Sequence, residues 1–264
     1  MDKAKKYAKE NGYEGAMFPW QSGSDGREET QVVHLNPVSG EWGPDYSSLQ
    51  RHISSAIAYN IWQYYQITGD QDFMNQYGAE MFFEISRFWA SKALIKGEDH
   101  RYSIDKVMGP DEFHEKLPDA KEGGLNDNAY TNIMAIWCME HAFEIMDHLE
   151  MSERKRVVDK IGLEKEELVK WKDMTRSIKL NFNEDGILEQ FDGYFGLKEL
   201  DWESYRKRYS DIHRMDRILK AEDRSPDDYK VAKQADTMMI QYNIDEEEVE
   251  SLIKNLDYEL PDNF

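Results

Sequence analysis

From Ser47 to Thr68 the apolar residues Leu49, Ile53, Ala56, Ile57, Ile61 and Tyr64 recur at helical spacing, and Tyr59 with Trp62 add a second apolar face. The pattern predicts a helix buried on two sides. Thr68-Gly69-Asp70 ends it, and a second helical pattern runs to about Lys96 with Ala79, Phe82, Phe83, Ser86, Trp89, Ala90 and Ala93 on one face. So short a turn between them implies antiparallel packing. After Gly97 a polar loop holds a short strand at Tyr102 to Ile104 and then Met108-Gly109-Pro110-Asp111-Glu112-Phe113-His114, where Gly-Pro forbids a helix. Asn126 or Asp127 is placed to cap a helix reaching about Leu149, with Ala129, Ile133, Ile136 and Trp137 on its apolar side.

Further helical patterns lie near residues 153–160, 164–182, 226–243 and 245–256, and Asp192-Gly193 within Leu188 to Phe195 reads as a hairpin turn. Seven or eight helices in succession, separated by long Gly- and Trp-containing loops, make the fold class all-α. They suit an α/α toroid better than a four-helix bundle. Trp62, Trp89, Trp137, Tyr59 and Tyr64 sit at core spacings, His52 can face either way, and His141 and His148 read as an amphipathic flank.

Composition narrows the function. The 264 residues are 40% hydrophobic, enough for a core, and 33 Lys+Arg stand against 53 Asp+Glu for a net charge of −20. Such a balance argues against nucleic acid and against an anionic membrane surface. The single cysteine, Cys138, cannot close an internal disulfide, and neither a His-Glu-x-x-His nor a Cys-x-x-Cys pattern occurs, so no metal site is expected. Residues 1–11 form a charged stretch without a signal-like apolar run, and the expectation is a soluble protein of a reducing compartment, the cytoplasm.

Three stretches carry candidate chemistry. Phe18-Pro19-Trp20-Gln21-Ser22-Gly23-Ser24-Asp25-Gly26-Arg27-Glu28-Glu29 combines an aromatic plane, amides and both charges. A pyranose offers an apolar face to stack on Trp20 and hydroxyls for Gln21, Arg27 and Glu28. A surface loop anchored by Trp20 accounts for the same residues. The second stretch places Asp111, Glu112, His114 and Glu115 behind Gly109-Pro110. Crowding and partial burial raise carboxyl pKa values, so one of these groups can act as a general acid, although a solvated acidic turn has the same composition. The third is Lys233-Gln234-Ala235-Asp236 on the helix expected at 226–243, where an ordinary surface pair is the plain alternative.

Together these stretches resemble glycoside hydrolase family 65. Phe18-Pro19-Trp20, His52-Ile53-Ser54-Ser55-Ala56-Ile57-Ala58-Tyr59, Thr68-Gly69-Asp70, Gly78-Ala79-Glu80, Arg87-Phe88-Trp89-Ala90, Gly109-Pro110-Asp111-Glu112, Asn128-Ala129-Tyr130-Thr131-Asn132 and Lys233-Gln234-Ala235-Asp236 occur in that family's order, from about Gly15 to about Tyr242. The family contains inverting phosphorylases of maltose, trehalose, kojibiose and nigerose. The resemblance implies an (α/α)6 toroid, present only in part over residues 1–264. The family's upstream Trp-Asp and downstream His-Asp-Ser-Ser motifs are absent here, and the piece alone is expected to be inactive.

The resemblance also implies Glu112 as the general acid and Lys233 with Gln234 at phosphate. Trp20, Gln21, Arg27 and Glu28 are left to the sugar, although Gln21 stands where many of these phosphorylases have Glu. A phosphorylase needs no second carboxylate, whereas an inverting hydrolase needs one roughly 6.5–9.5 Å away to activate water. The implied reaction converts an α-linked glucose disaccharide and inorganic phosphate to β-glucose 1-phosphate and the released sugar, without metal or organic cofactor. A hydrolase of the same scaffold and an inactive sugar-binding fragment are the alternatives, and a homodimer is left open.

Overall fold

The computed structural model describes residues 1–258. Helices dominate, as the periodicity predicts. They are α1 (Asp2–Glu10), α2 (Ile53–Thr68), α3 (Gln71–Phe73), α4 (Ala79–Lys92), α5 (Ala129–His148), α6 (Met151–Ile161), α7 (Lys165–Ser177), α8 (Trp202–Arg208), α9 (Met215–Ala221), α10 (Met238–Asn243) and α11 (Glu246–Asn255). Two small antiparallel hairpins complete the set, β1 (Val33–Leu35) with β2 (Trp42–Pro44) and β3 (Leu94–Lys96) with β4 (Arg101–Ser103).

Helices α2, α4, α5 and α7 pack on one another to form the main core. Helix α5 is buried along most of its length, from Ala129 to Met146, so the single apolar stripe expected from sequence is in fact apolar on nearly all sides. Trp62, Trp89 and Trp137 are core residues, whereas Tyr64 is exposed, its hydroxyl donating to Asp70.

The N-terminal stretch, which has no apolar run, still folds. Ala4 and Ala8 bury one face of α1, and Lys5 donates at 2.5 Å to Glu84, a fully buried carboxylate that also receives Arg87 at 3.0 Å. A buried charge of this kind is tolerated only when paired. Arg87 continues to Glu167 of α7 at 2.6 Å, so one charge network joins three helices. Gly15 lies flat against α4, where a Cβ would strike the Glu84 carbonyl and the Phe88 amide, and this close approach directs the chain into the Trp20 loop.

Several expected boundaries move. The first helix opens with a 3-10 turn at Ser47–Leu49 and becomes α-helical only from Ile53, and the second pattern is a π turn at Met74–Gly78 leading into α4. Neither Asn126 nor Asp127 caps α5; Asn128 does, accepting from the Thr131 amide at 2.9 Å, while Asp127 takes a positive φ of 49° and accepts from Ser103 and Ile104. Helix α7 stops at Ser177 because Ile178, Leu180 and Phe182 alternate with polar residues and run as extended chain, the Lys179 amide donating to Tyr102. The turn assigned to Asp192-Gly193 lies earlier, between Phe182 and Leu188, where the Asn183 amide donates to the Ile187 carbonyl; Gly193 instead opens a 3-10 turn at Tyr194–Gly196.

The largest correction concerns residues 226–243. A 3-10 turn at Pro226–Asp228 and the short α10 are separated by irregular chain, and that chain holds Lys233 and Gln234. Asp111 captures the Lys233 amide at 2.9 Å, and Asp236 turns inward to Asn128, so backbone groups that a helix would use are committed elsewhere.

Candidate active site

The Trp20 loop is a tight hairpin organised by one carboxylate. Ser22 bridges to Glu28, and Glu28 accepts from the amides of Trp20 (2.9 Å), Gln21 (3.1 Å) and Thr30 (3.2 Å), from the Thr30 hydroxyl and from Tyr7 of α1 (2.9 Å). Burial opposes the charge on Glu28, yet these donors together hold its pKa below the ordinary value. Arg51 donates to Tyr7 at 2.6 Å, extending the support back to the helical body. Glu28 therefore sets the position of Trp20 and Gln21 and lines no cleft itself. Arg27 is 76% exposed and among the described residues pairs only with its neighbours Asp25 and Glu29.

The second loop rests on Gly109, where a Cβ would collide with Asp236 and Asn128. The Asp111 amide donates to Asp236 at 3.3 Å, and Asn128 of α5 donates to the other oxygen at 2.9 Å. Burial pushes the Asp236 carboxyl up to about 7 despite these donors.

The buried Asp111 accepts four bonds, from the amides of Phe113 (3.2 Å) and Lys233 (2.9 Å) and from the side chains of His114 (2.7 Å) and Gln190 (3.3 Å). On its other nitrogen His114 meets the Tyr229 carbonyl at 2.9 Å, an arrangement suited to an imidazolium that donates twice. Burial works against that charge, but the hydrogen bond and the charge of Asp111 outweigh it and hold the His114 pKa above its usual value. Phe113, between them, is buried with Leu200, Tyr205, Met215, Leu219 and Tyr229, which seats the loop on α8 and α9. Burying such a ring contributes about 1.5–3 kcal/mol.

With Asp111 facing inward, Glu112 faces a cleft of about 460 Å³, a size suited to small ligands. Trp20, Gln21 and Lys233 line it too. Lys233 donates to one Glu112 oxygen at 2.7 Å and Gln234 to the other at 2.9 Å; the Gln234 amide oxygen is buried without a partner among the described residues and is a free acceptor beside the carboxylate. Five of the residues singled out from sequence, Trp20, Gln21, Glu112, Glu115 and Lys233, thus share one cleft, Gln234 touches it through Glu112, Glu28 supports it from behind, and Arg27 lies away from it.

Three further carboxylates line the cleft, each already engaged. Asp45 accepts from Gln31 (2.8 Å) and the Ser47 amide (2.9 Å), Glu115 from Lys220 (3.2 Å) and the Tyr46 amide (3.4 Å), and Asp216 from both arms of Arg214 (2.9 and 2.6 Å). Burial raises the Glu115 pKa against the opposing charge of Lys220, so the burial half of the sequence argument applies to this residue and crowding within the loop does not. His52 packs its ring 5.7 Å from Trp20 and 5.9 Å from Tyr130; burial lowers its pKa to about 4 and it stays neutral. Among the described residues no three His, Cys, Asp or Glu side chains gather as metal ligands. No helix among them is long and apolar enough to cross a membrane.

Sequence reading overlooked Arg214, Arg217 and Lys220, which line the same cleft from α9 and its N-cap. Their spacing of three was the available signal, masked by a seven-residue helix too short to show a period. It also overlooked Asn128 and Gln190 as supports, since neither is near the bend in sequence.

A helical frame whose small-ligand cleft is lined by both an acidic side chain and a tryptophan suits the catalytic domain of a carbohydrate-active enzyme. The chain belongs to glycosyl hydrolase family 65, whose central catalytic domain matches residues 1–263. It is 48% identical over 261 residues to the trehalose 6-phosphate phosphorylase of Lactococcus lactis, covering 99% of this chain and 32% of that protein. It is 45% identical over 255 residues to an uncharacterized glycosyl hydrolase of Mycobacterium tuberculosis, covering 97% of this chain and 19% of that one. A solved structure of a candidate kojibiose phosphorylase from human microbiome superimposes with a TM-score of 0.73 at 27% identity, over 96% of this chain and 34% of that chain. The fold is accordingly all-α, part of an (α/α)6 toroid, and the chain spans between about a fifth and a third of the length of these relatives.

Proposed function

We propose that this domain catalyses inverting phosphorolysis of an α-linked glucoside, releasing β-glucose 1-phosphate and the second sugar. Glu112 is the general acid: its proton passes to the glycosidic oxygen as that oxygen's bond to the anomeric carbon breaks. Inorganic phosphate attacks the opposite face of the same carbon, with Lys233 and Gln234 supplying the donors it requires. Trp20 stacks on the sugar, and Gln21 meets its hydroxyls.

The observation that carries this reading is that Glu112 faces a cleft it shares with Trp20, Gln21 and Lys233 and whose other carboxylates are all engaged. An inverting hydrolase needs a carboxylate free to activate water, and Asp45, Glu115 and Asp216 each hold donors already. Phosphate brings its own nucleophilic oxygen. Among the substrates named for the relatives, trehalose 6-phosphate suits the cleft best, since cationic side chains line it beyond those assigned to the attacking phosphate.

The test is the phosphate dependence of glucoside consumption by the intact protein, with the anomer of the product read by NMR. The expected result is consumption only with phosphate and stoichiometric β-glucose 1-phosphate. Equal consumption without phosphate, with free glucose as product, contradicts the proposal.

A further inference from the structure

The cleft holds more cationic character than an uncharged disaccharide and one phosphate use. Arg214, Arg217, Lys220 and Lys233 line it together with His34, and four carboxylates, Asp45, Glu112, Glu115 and Asp216, face them. In a chain with net charge −20 an even balance inside one cleft is a local enrichment of cations. Three of the four cations are matched: Lys233 with Glu112 at 2.7 Å, Arg214 with Asp216 at 2.6 Å, and Lys220 with Glu115 at 3.2 Å. Arg217 is not. Among the described residues its guanidinium has no hydrogen-bond or ion-pair partner, although the residue is partly buried.

The position of Arg217 is fixed even though its side chain is unpaired. Asn36, which follows β1, donates its side-chain amide to the Arg217 carbonyl at 3.1 Å and ties α9 to the first hairpin. Met215, Ile218 and Leu219 bury the opposite face of α9 in the cluster that also holds Phe113, the residue after Glu112. The spacing 214, 217, 220 puts the three cations on one stripe of that helix, directed at the cleft. A planar guanidinium with five donors and no partner, held at the wall of a ligand cleft, is suited to bidentate capture of a phosphate group. The two matched cations beside it add charge without competing for the same oxygens.

We infer that the α9 wall recognises a phosphate monoester on the substrate, with Arg217 as its main contact, and so sets the preference for a phosphorylated over an unphosphorylated sugar. The assignment rests on the phosphorolytic reading, which places the attacking inorganic phosphate at Lys233 and Gln234. Inorganic phosphate is the other source of the same chemistry, and the test separates the two.

Calorimetric binding to the intact protein, without turnover, is measured for glucose 6-phosphate, glucose, glucuronic acid and inorganic phosphate. The same titrations are run on Arg217→Ala and Arg217→Lys, and on Arg206→Ala as a control, since Arg206 is exposed outside the cleft. The expected result is glucose 6-phosphate binding about 10- to 100-fold more tightly than glucose, the scale of a charge-assisted bidentate pair. Arg217→Ala removes that advantage, Arg217→Lys restores part of it, Arg206→Ala leaves it in place, and the affinity for inorganic phosphate changes less than about threefold.

Equal binding of glucose and glucose 6-phosphate overturns the inference. So does an equal loss of glucose 6-phosphate and inorganic phosphate affinity in Arg217→Ala, which reassigns the stripe to the attacking phosphate, and so does glucuronic acid binding as tightly as the phosphate ester. Turnover of an unphosphorylated α-glucoside that does not depend on phosphate instead contradicts the phosphorolytic reading, whatever the outcome of these titrations.

Discussion

Asp111 and Glu112 are adjacent in sequence and carry the same chemical group, yet the structure gives them opposite surroundings. Asp111 is buried and accepts four hydrogen bonds, two from backbone amides and two from side chains. Glu112 keeps a third of its side chain exposed and touches two side chains that a substrate can displace. The first carboxylate holds backbone in place, and the second is free to exchange partners. A reactive carboxylate must change its contacts during a catalytic cycle, and it can do so only if the loop that presents it is held by groups that do not. The opposite directions follow from the turn at Glu112-Phe113, closed by the Asp111 side chain accepting the Phe113 amide, which holds Asp111 inward and leaves Glu112 at the outside of the turn.

Removing the inward partner has the largest expected effect on stability. Asp111→Ala leaves His114 buried without its counterion and frees the Lys233 amide, and it is expected to cost about 3–5 kcal/mol in chemical denaturation. A loss under about 1 kcal/mol contradicts the division of labour between the two carboxylates.

A smaller effect, on the order of a few kcal/mol across its whole range, comes from Asp236, whose pKa burial raises from the ordinary 3.8 to about 7. Between those two values the folded protein binds a proton that the unfolded chain has released, so stability falls as pH rises. Below 3.8 and above about 7 the two states carry the same charge on this group, and its contribution is flat. The stability advantage of the native protein over Asp236→Asn is therefore expected to shrink steadily from about pH 4 to pH 7. An advantage that grows over that interval places the Asp236 pKa below its ordinary value and contradicts the assignment.

The sequence made the outward half of this arrangement legible and hid the inward half. A Gly-Pro bend followed by acidic residues announces a constrained, charged loop, and the Trp20 loop stands out by its aromatic and glycine content. That Lys233 and Gln234 serve the same site as Glu112 was implied by family resemblance alone, their direct contact with it was not foreseen, and the helix assigned to them was wrong. The helical reading of 226–243 weighed local apolar spacing, whereas the deciding bonds run from Asp111 to the Lys233 amide and from Asn128 to Asp236, more than a hundred residues apart in sequence. Glu28 was read as a sugar ligand because its type suits one; its position shows an organiser of the loop, a distinction that depends on which donors surround it. Helices α2, α4 and α5 were legible because they are long, while α8 and α9 span seven residues each and leave too few turns for a period to emerge.

The central claim is that Glu112 delivers a proton to the leaving sugar, and the most direct measurement compares Glu112→Gln with the native protein on two substrates. An α-linked disaccharide needs its leaving oxygen protonated, and a glucosyl fluoride of the anomeric configuration the enzyme accepts does not. The expected result is a loss of about 10²–10⁴ in disaccharide phosphorolysis with substantial activity retained on the fluoride. Equal losses on both substrates, or full disaccharide activity in Glu112→Gln, contradict it.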